Sequence, residues 1–376
     1  MVCREVLTRL TTNFEPRDDP WNSTQSKEIE WRNRASGQSF FGQVNLFRTH
    51  QSQYGRRRVG DPDPHRTHDP ATIQLPPYYP DTPVVREIWA EYYDRITEMN
   101  EQFFHILQLL KADGLDGGTI VIFLGDNGVG IPAGKIWVWE QGLHVPMIIR
   151  FPEKWQHMCS DTPGHVDKRM VSFVDFVPTV LSLCNVDIPG YVQGQIILGP
   201  NAVEREYCFA EQDFHDGADF NTSRTVRSSQ FHYVHNLMPH QGWDPILYSW
   251  SSAPYMLTEW LQTTEDGMLD HNMRQCAFFA TEKPVEELYD VLKDPDCMHN
   301  LADEPECQAR LYEMRQQFKT WMIENGDLGL MSQYELYSRS KASWHALSLI
   351  YRPKEQLDLK SARSGRIGKR SNQRQY

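Results

Sequence analysis

The sequence predicts an α/β fold: a mixed, mostly parallel sheet flanked by helices, followed by a small antiparallel α+β unit. Three observations lead there. Short β-branched runs alternate with one long amphipathic stretch. The runs are apolar throughout, which suits strands covered on both faces. Past residue 203 the grammar changes to short mixed strands with no helix between them.

The elements follow in order. Residues 1–37 are polar and mixed, and predict little beyond a helix and loop. SFFGQVNLF (39–47) is an apolar run of strand length, ending at Arg48-Thr49-His50. The Arg-, Asp-, His- and Pro-rich residues 51–83 forbid regular helix or central strand, so they read as a long loop of the kind that often serves function. Trp89, Tyr93, Ile96, Met99, Phe103, Ile106 and Leu110 recur at helical spacing and predict a helix over 84–114, stopped by Gly114. GTIVIFLG (118–125) and HVPMIIRF (144–151) predict buried strands. KRMVSFVDFVPTVLSLC (168–184) predicts a strand running into a short helix with Pro178 near its first turn. REYCFAEQ, RTVRSS and FHYVHNL predict the small sheet. Leu311, Met314, Phe318 and Trp321 predict a helix ending near Gly326. The expected division is 1–200, 201–330 and a 331–376 extension whose basic end, KSARSGRIGKRSNQRQY, reads as a solvated tail.

Composition narrows the function. The chain has 376 residues and a formal net charge of -12. Nucleic-acid wrapping needs a basic footprint, so that class is excluded. No apolar run approaches the ~20 residues of a membrane span. The first twenty residues carry no apolar core of a secretion signal. Seven scattered cysteines form no CxxC and no zinc spacing, and do not decide a redox compartment. Sequons begin at Asn22 and Asn221.

The segment with chemical content is TIVIFLGDNGVGIPAGKIWVWEQGLHVPMIIRFP (119–152). Asp126 and Asn127 follow directly on a predicted strand, at the carboxyl end where α/β sheets hold ligands. A carboxylate beside an amide carbonyl offers hard oxygen ligands for calcium or magnesium. Gly128 and Gly130 permit a sharp turn, and Lys135 in a glycine-containing loop would clamp an anion such as sulfate or phosphate. Taken alone, Asp-Asn-Gly is more often a plain turn.

Its context resembles the sulfatase family of the alkaline-phosphatase-like superfamily. The resemblance runs over roughly 39–325 in five ordered segments. They are SFFGQVNLFRTHQS (39–52), the Asp-Asn-Gly stretch, VSFVDFVPTVLSLCNVDIPGYVQGQ (171–195), RTVRSSQFHYVHN (224–236) and EELYDVLKDPDCMHNLADEPE (286–306). In the fourth, His232 stands where lysine is usual. The resemblance implies an alkaline-phosphatase-like fold and metal-assisted hydrolysis of sulfuric esters. It implies Asp126 and Asn127 as metal ligands to Ca2+ or Mg2+, Lys135 as a sulfate contact, and His50 as a sulfate contact or leaving-group acid. It implies structural roles for Asp175 and Pro178. His144 stands where the family has arginine and reads as packing or a substrate-side contact. The implied ligand is a sulfated small molecule or glycan. Family members are commonly secreted, periplasmic or lysosomal.

One part of the pattern is absent. The family's nucleophile is a cysteine in C-x-P-S-R, converted to formylglycine, and its first strand is followed by an Asp-Asp pair. No cysteine here precedes x-P-S-R: Cys3 is followed by REVL and Cys159 by SDTP. Asp18-Asp19 sits between prolines rather than after a buried strand. The expectation is therefore an incomplete catalytic unit with a weakly held cation and no turnover. The alternatives are a non-catalytic binder of sulfated ligands, and another phospho- or sulfohydrolase of the superfamily, which would need a Thr or Ser nucleophile and more Asp and His ligands.

Overall fold

The computed structural model describes residues 8–9, 23–24, 30–55, 57, 59–61, 63–159, 162–213, 221–243, 254–268 and 277–329. Helix α1 spans Pro83–Ala112. Thr82 caps it, its hydroxyl accepting from Val85 N at 3.3 Å, and proline occupies the first turn where a missing N–H costs nothing. The helix stops at Asp113, and Gly114 turns away with φ +67. Strand β1 (Val121–Leu124) then pairs antiparallel with β2 (Met147–Arg150), Val121 opposite Arg150. Between them lies α2 (Glu140–Leu143), and after them α3 (Phe176–Leu183).

The second sheet has order β3-β4-β5-β6, all antiparallel: Cys208–Gln212, Ser223–Arg227, Phe231–Asn236 and Glu286–Asp290. Helix α5 (Gln308–Asn325) covers it, burying Leu311, Met314 and Phe318 against Val226, Tyr233 and Leu288. Gly326 closes α5 in the left-handed conformation, φ +60, as its lack of a Cβ allows. The sequence gives no hint of α4, Pro254–Glu265, whose Trp260 packs on Tyr79 at 5.3 Å between ring centroids. No described helix is long and apolar enough to cross a membrane.

Several expectations change. Residues 39–46 form no strand; the chain is extended and then turns through a short 3-10 helix, Phe47–Thr49. Gly42 and alternate polar residues leave too little apolar surface to hold a strand, and Val44 and Phe47 stay exposed. The stretch before α3 forms no strand: it gives an isolated bridge, Met170 to Arg205, and then a 3-10 helix, Phe173–Asp175. Among the described residues no mostly parallel sheet is present: β1 and β2 are antiparallel, and the only parallel pairing joins Thr8–Arg9 to Ser23–Thr24. Nor are β1 and β2 covered on both faces; Ile148 is 63% exposed. Asp18-Asp19, Asn22 and the 331–376 tail lie outside the described residues.

The largest buried cluster is not under β1 and β2. It runs from Tyr54, Tyr78 and Tyr79 through Ile88 and Trp89 of α1 to Trp137, Trp139, Trp243, Trp260 and Phe278. It thus crosses residue 200. Carboxylates of α1 hold the long 51–83 loop onto this core. Asp94, 1% exposed, accepts from the backbone N–H groups of Thr67 and His68, each at 2.9 Å, and from the Thr67 hydroxyl at 2.8 Å. Glu91 accepts from Gly55 N at 2.8 Å.

Candidate functional site

The site is built at the end of β1. Asp126 follows Gly125 and is exposed; Asn127 is half-buried and donates its Nδ2 to Gly128 O at 2.7 Å, which leaves Oδ1 as an acceptor. Gly128 cannot be anything larger: a Cβ there would lie 2.0 Å from Gln141 O. Gly134 meets Val129 O at the same distance. The loop closes on itself through Lys135 N to Val129 O, 2.8 Å, and Gly128 N to Gly142 O, 3.1 Å. On either side of Lys135 the backbone is strained. Ala133 has φ +75 and Ile136 φ +73, a region that a β-branched residue rarely enters.

The other wall is the turn after Phe47–Thr49. His50 caps the next short helix, its Nδ1 accepting from Ser52 N at 3.3 Å and lying 2.8 Å from Ser52 Oγ. With Nδ1 an acceptor, the neutral ring carries its proton on Nε2. Tyr54, fully buried, fixes the two walls together: its hydroxyl accepts from Gly130 N at 2.9 Å. A Cβ on Gly130 would fall 2.5 Å from Gln51 Cβ. So close an approach brings His50 within electrostatic reach of Lys135 and Asp126. Burial first, then the Lys135 ammonium, lowers the His50 pKa, and the Asp126 carboxylate opposes them. Three of the residues singled out in the sequence therefore share one electrostatic environment, and Asn127 adjoins it.

His144 sits apart, at the end of α2. Its Nδ1 lies 3.1 Å from Glu140 Oε1, and its side chain is 78% exposed. The hydrogen bond to Glu140 raises its pKa against the cost of burial.

Asp126 and Asn127 supply hard oxygen donors, which fit calcium or magnesium in kind. They do not fit in number, since a calcium shell takes 6–8 oxygens. Among the described residues no group of three His, Cys, Asp or Glu side chains is placed to hold a metal.

Sequence reasoning passed over the supports. Glu140 reaches the small sheet, accepting from Arg227 Nε at 2.8 Å and Arg227 Nη2 at 3.0 Å. Nothing in the spacing of residues 87 positions apart announces that pair. Asp175 is fully buried and accepts from Ser172 N, Gln195 N and the Arg205 guanidinium, a scaffold rather than a ligand position. The sequon residue Asn221 is fully buried, donating Nδ2 to Gly242 O, so its amide is closed to modification in the folded chain.

Residues 24–186 match the family described as Sulfatase, and residues 133–275 the N-sulphoglucosamine sulphohydrolase C-terminal family. An ulvan-active sulfatase of Formosa agariphila is 35% identical over 352 residues, covering 85% of this chain and 57% of that one. Human N-sulphoglucosamine sulphohydrolase is 28% identical over 290 residues, covering 73% and 55%. The chain thus spans somewhat over half the length of these relatives. Among solved structures, a candidate sulfatase, yidJ, of Bacteroides fragilis superposes with a TM-score of 0.53 at 20% identity, over 78% of this chain and 56% of that one. A solved 2-O GAG sulfatase gives 0.50 at 18%, over 77% and 59%. These two likenesses bear on the fold alone.

Proposed function

The chain belongs to the sulfatase family of the alkaline-phosphatase-like superfamily, and from that premise we propose that its 376 residues carry the sulfate-holding half of a sulfuric ester hydrolase site. Lys135 places a compact positive charge against the sulfate oxygens. His50, neutral and protonated on Nε2, donates to the sulfate or to the leaving oxygen. Asp126 and Asn127 would offer two of the oxygens that a Ca2+ or Mg2+ ion needs, and such an ion would supply charge withdrawal from the sulfate oxygens. His144, exposed beside the loop, faces the remainder of the ligand. The ligand class is a sulfated glycan, in keeping with the names of the two curated relatives.

What supports this reading is that the Lys135 and Asp126 charges both act on His50 while Tyr54 ties the His50 turn to the glycine loop. The absence of C-x-P-S-R leaves the covalent half of the reaction with no residue in this sequence. Sulfate titrated into the purified chain with calcium present, followed by calorimetry, tests the assignment. Binding should weaken by about tenfold or more in Lys135→Ala, on the order of 1.4 kcal/mol. Equal affinity in the variant would refute it. Release of product from an aryl sulfate, lost in Lys135→Ala, would overturn the half-site reading in favour of a complete enzyme.

A further inference from the structure

The His232 ring is fully buried, yet the chain supplies it only with acceptors. Its Nδ1 lies 3.1 Å from Glu140 Oε2. Its Nε2 lies 2.8 Å from Val138 O and 2.7 Å from the Thr225 hydroxyl oxygen. That hydroxyl spends its one proton on Tyr233 O, at 2.7 Å, so towards the ring it too accepts. Glu140 is a true carboxylate. Burial opposes its ionisation, but hydrogen bonds from His144, His232 and Arg227 hold it well below the usual range. A neutral imidazole would leave one of its nitrogens facing an acceptor without a proton, a costly arrangement where water is excluded.

We propose that His232 is held as a buried imidazolium that, together with Arg227, fixes Glu140 and through it positions the Lys135 loop. The route is short. Glu140 opens α2, and α2 is seated on the loop: a Cβ on Gly142 would lie 2.1 Å from Trp137 O and 2.6 Å from Gly134 O. Gly142 O in turn accepts from Gly128 N, beside Asn127. The charged and titratable groups around the ring are Glu140 and His144 from α2, Arg227 from β4, which pairs with it in register, and Tyr289 from β6 on the other side. Two cations thus face one carboxylate, and charge joins the apolar packing of Val234 in holding the small sheet to the loop. His232 touches neither Lys135 nor the ligand position, so it is a positioning residue. The inference deepens the proposed reading, but its test does not need sulfate to bind.

Chain carrying 15N in its histidine rings is examined by long-range proton–nitrogen correlation at about pH 8, where exposed histidines are neutral. The resonances lost in His232→Gln should show both ring nitrogens protonated. One unprotonated nitrogen would overturn the proposal. In chain carrying 15N-lysine, the Lys135 amide peak is identified by its loss in Lys135→Arg. It should move in His232→Gln and return to its place in His232→Lys, which restores the charge. An unmoved peak in the glutamine variant, or one that lysine does not restore, would also overturn it. If the glutamine variant does not fold, the wild-type ring spectrum, assigned by elimination against His232→Lys, still decides. If the wild type binds no sulfate, the site reading fails and these two results stand independently.

Discussion

The four-stranded sheet and the β1–β2 pair are both antiparallel, yet they are stabilised in different ways. The four strands have a helix on one face, an apolar cluster between, and charges that meet partners. Arg224, 1% exposed, donates to Asp327 at 2.7 and 2.8 Å and to Asp213 at 2.9 Å. The β1–β2 pair has less: Phe123 meets Phe103 of α1 at 5.0 Å between ring centroids, but its residues are half-buried or exposed, Ile148 63%, and a lone two-stranded ladder is marginal in water. The candidate site nonetheless sits at the end of β1. Its order therefore comes from elsewhere, from glycine-limited backbone contacts, Tyr54, and the Glu140 clamp reaching over from the small sheet.

That contrast can be broken at graded points. Arg224→Met should cost the most, about 3–5 kcal/mol in urea unfolding, because it strands the Asp327 carboxylate, 2% exposed, without a cation. A loss under about 1 kcal/mol would mean the sheet does not depend on the pair. Gly134→Ala comes next, at about 1–3 kcal/mol, since the new Cβ must displace Val129 O from beside Lys135. The same variant should weaken sulfate binding, whereas Arg224→Met, if folded, should weaken it less.

An effect smaller per pH unit is expected at Lys283, which is buried over Trp243 at 4.1 Å and hydrogen-bonded to Asn221. Burial pushes its pKa down to about 7, with the Glu287 carboxylate opposing. An unfolded lysine titrates near 10.4, so between about pH 7 and 10 the unfolded chain binds the extra proton, and stability should rise with pH. The slope should be on the order of 1 kcal/mol per pH unit and vanish in Lys283→Met. A slope unchanged in the variant would assign it to other groups. Smallest of all, Ile148→Thr on the open ladder should shift the unfolding free energy by about 0.5 kcal/mol or less. A large loss there would show that the β1–β2 face is covered by more than the described residues.

Much of this was legible in the residues. The bounds of α1 and the end of α5 follow from helical spacing and glycine stops, and the structure moves them little. The small sheet was visible because its strands are short, mixed and separated by turns. Asp126, Asn127 and Lys135 stand out as candidates only through the resemblance, since Asp-Asn-Gly alone reads as a plain turn. What stayed hidden is long-range. Glu91, Asp94 and Arg95 look like the solvent face of α1, but they are buried because the 51–83 loop folds over them. His232 looks like one more histidine in a strand until Glu140, 92 residues earlier, is seen beside it. The run at 39–47 misled because Gly42 and its alternate polar residues leave less apolar surface than its length suggests.

The most direct test of the central assignment is a crystal structure of the chain grown with calcium and sulfate. The account predicts one sulfate between the His50 Nε2 and the Lys135 Nζ, with a cation on the Asp126 and Asn127 oxygens. Sulfate bound only elsewhere, with His50 and Lys135 facing solvent, would contradict it.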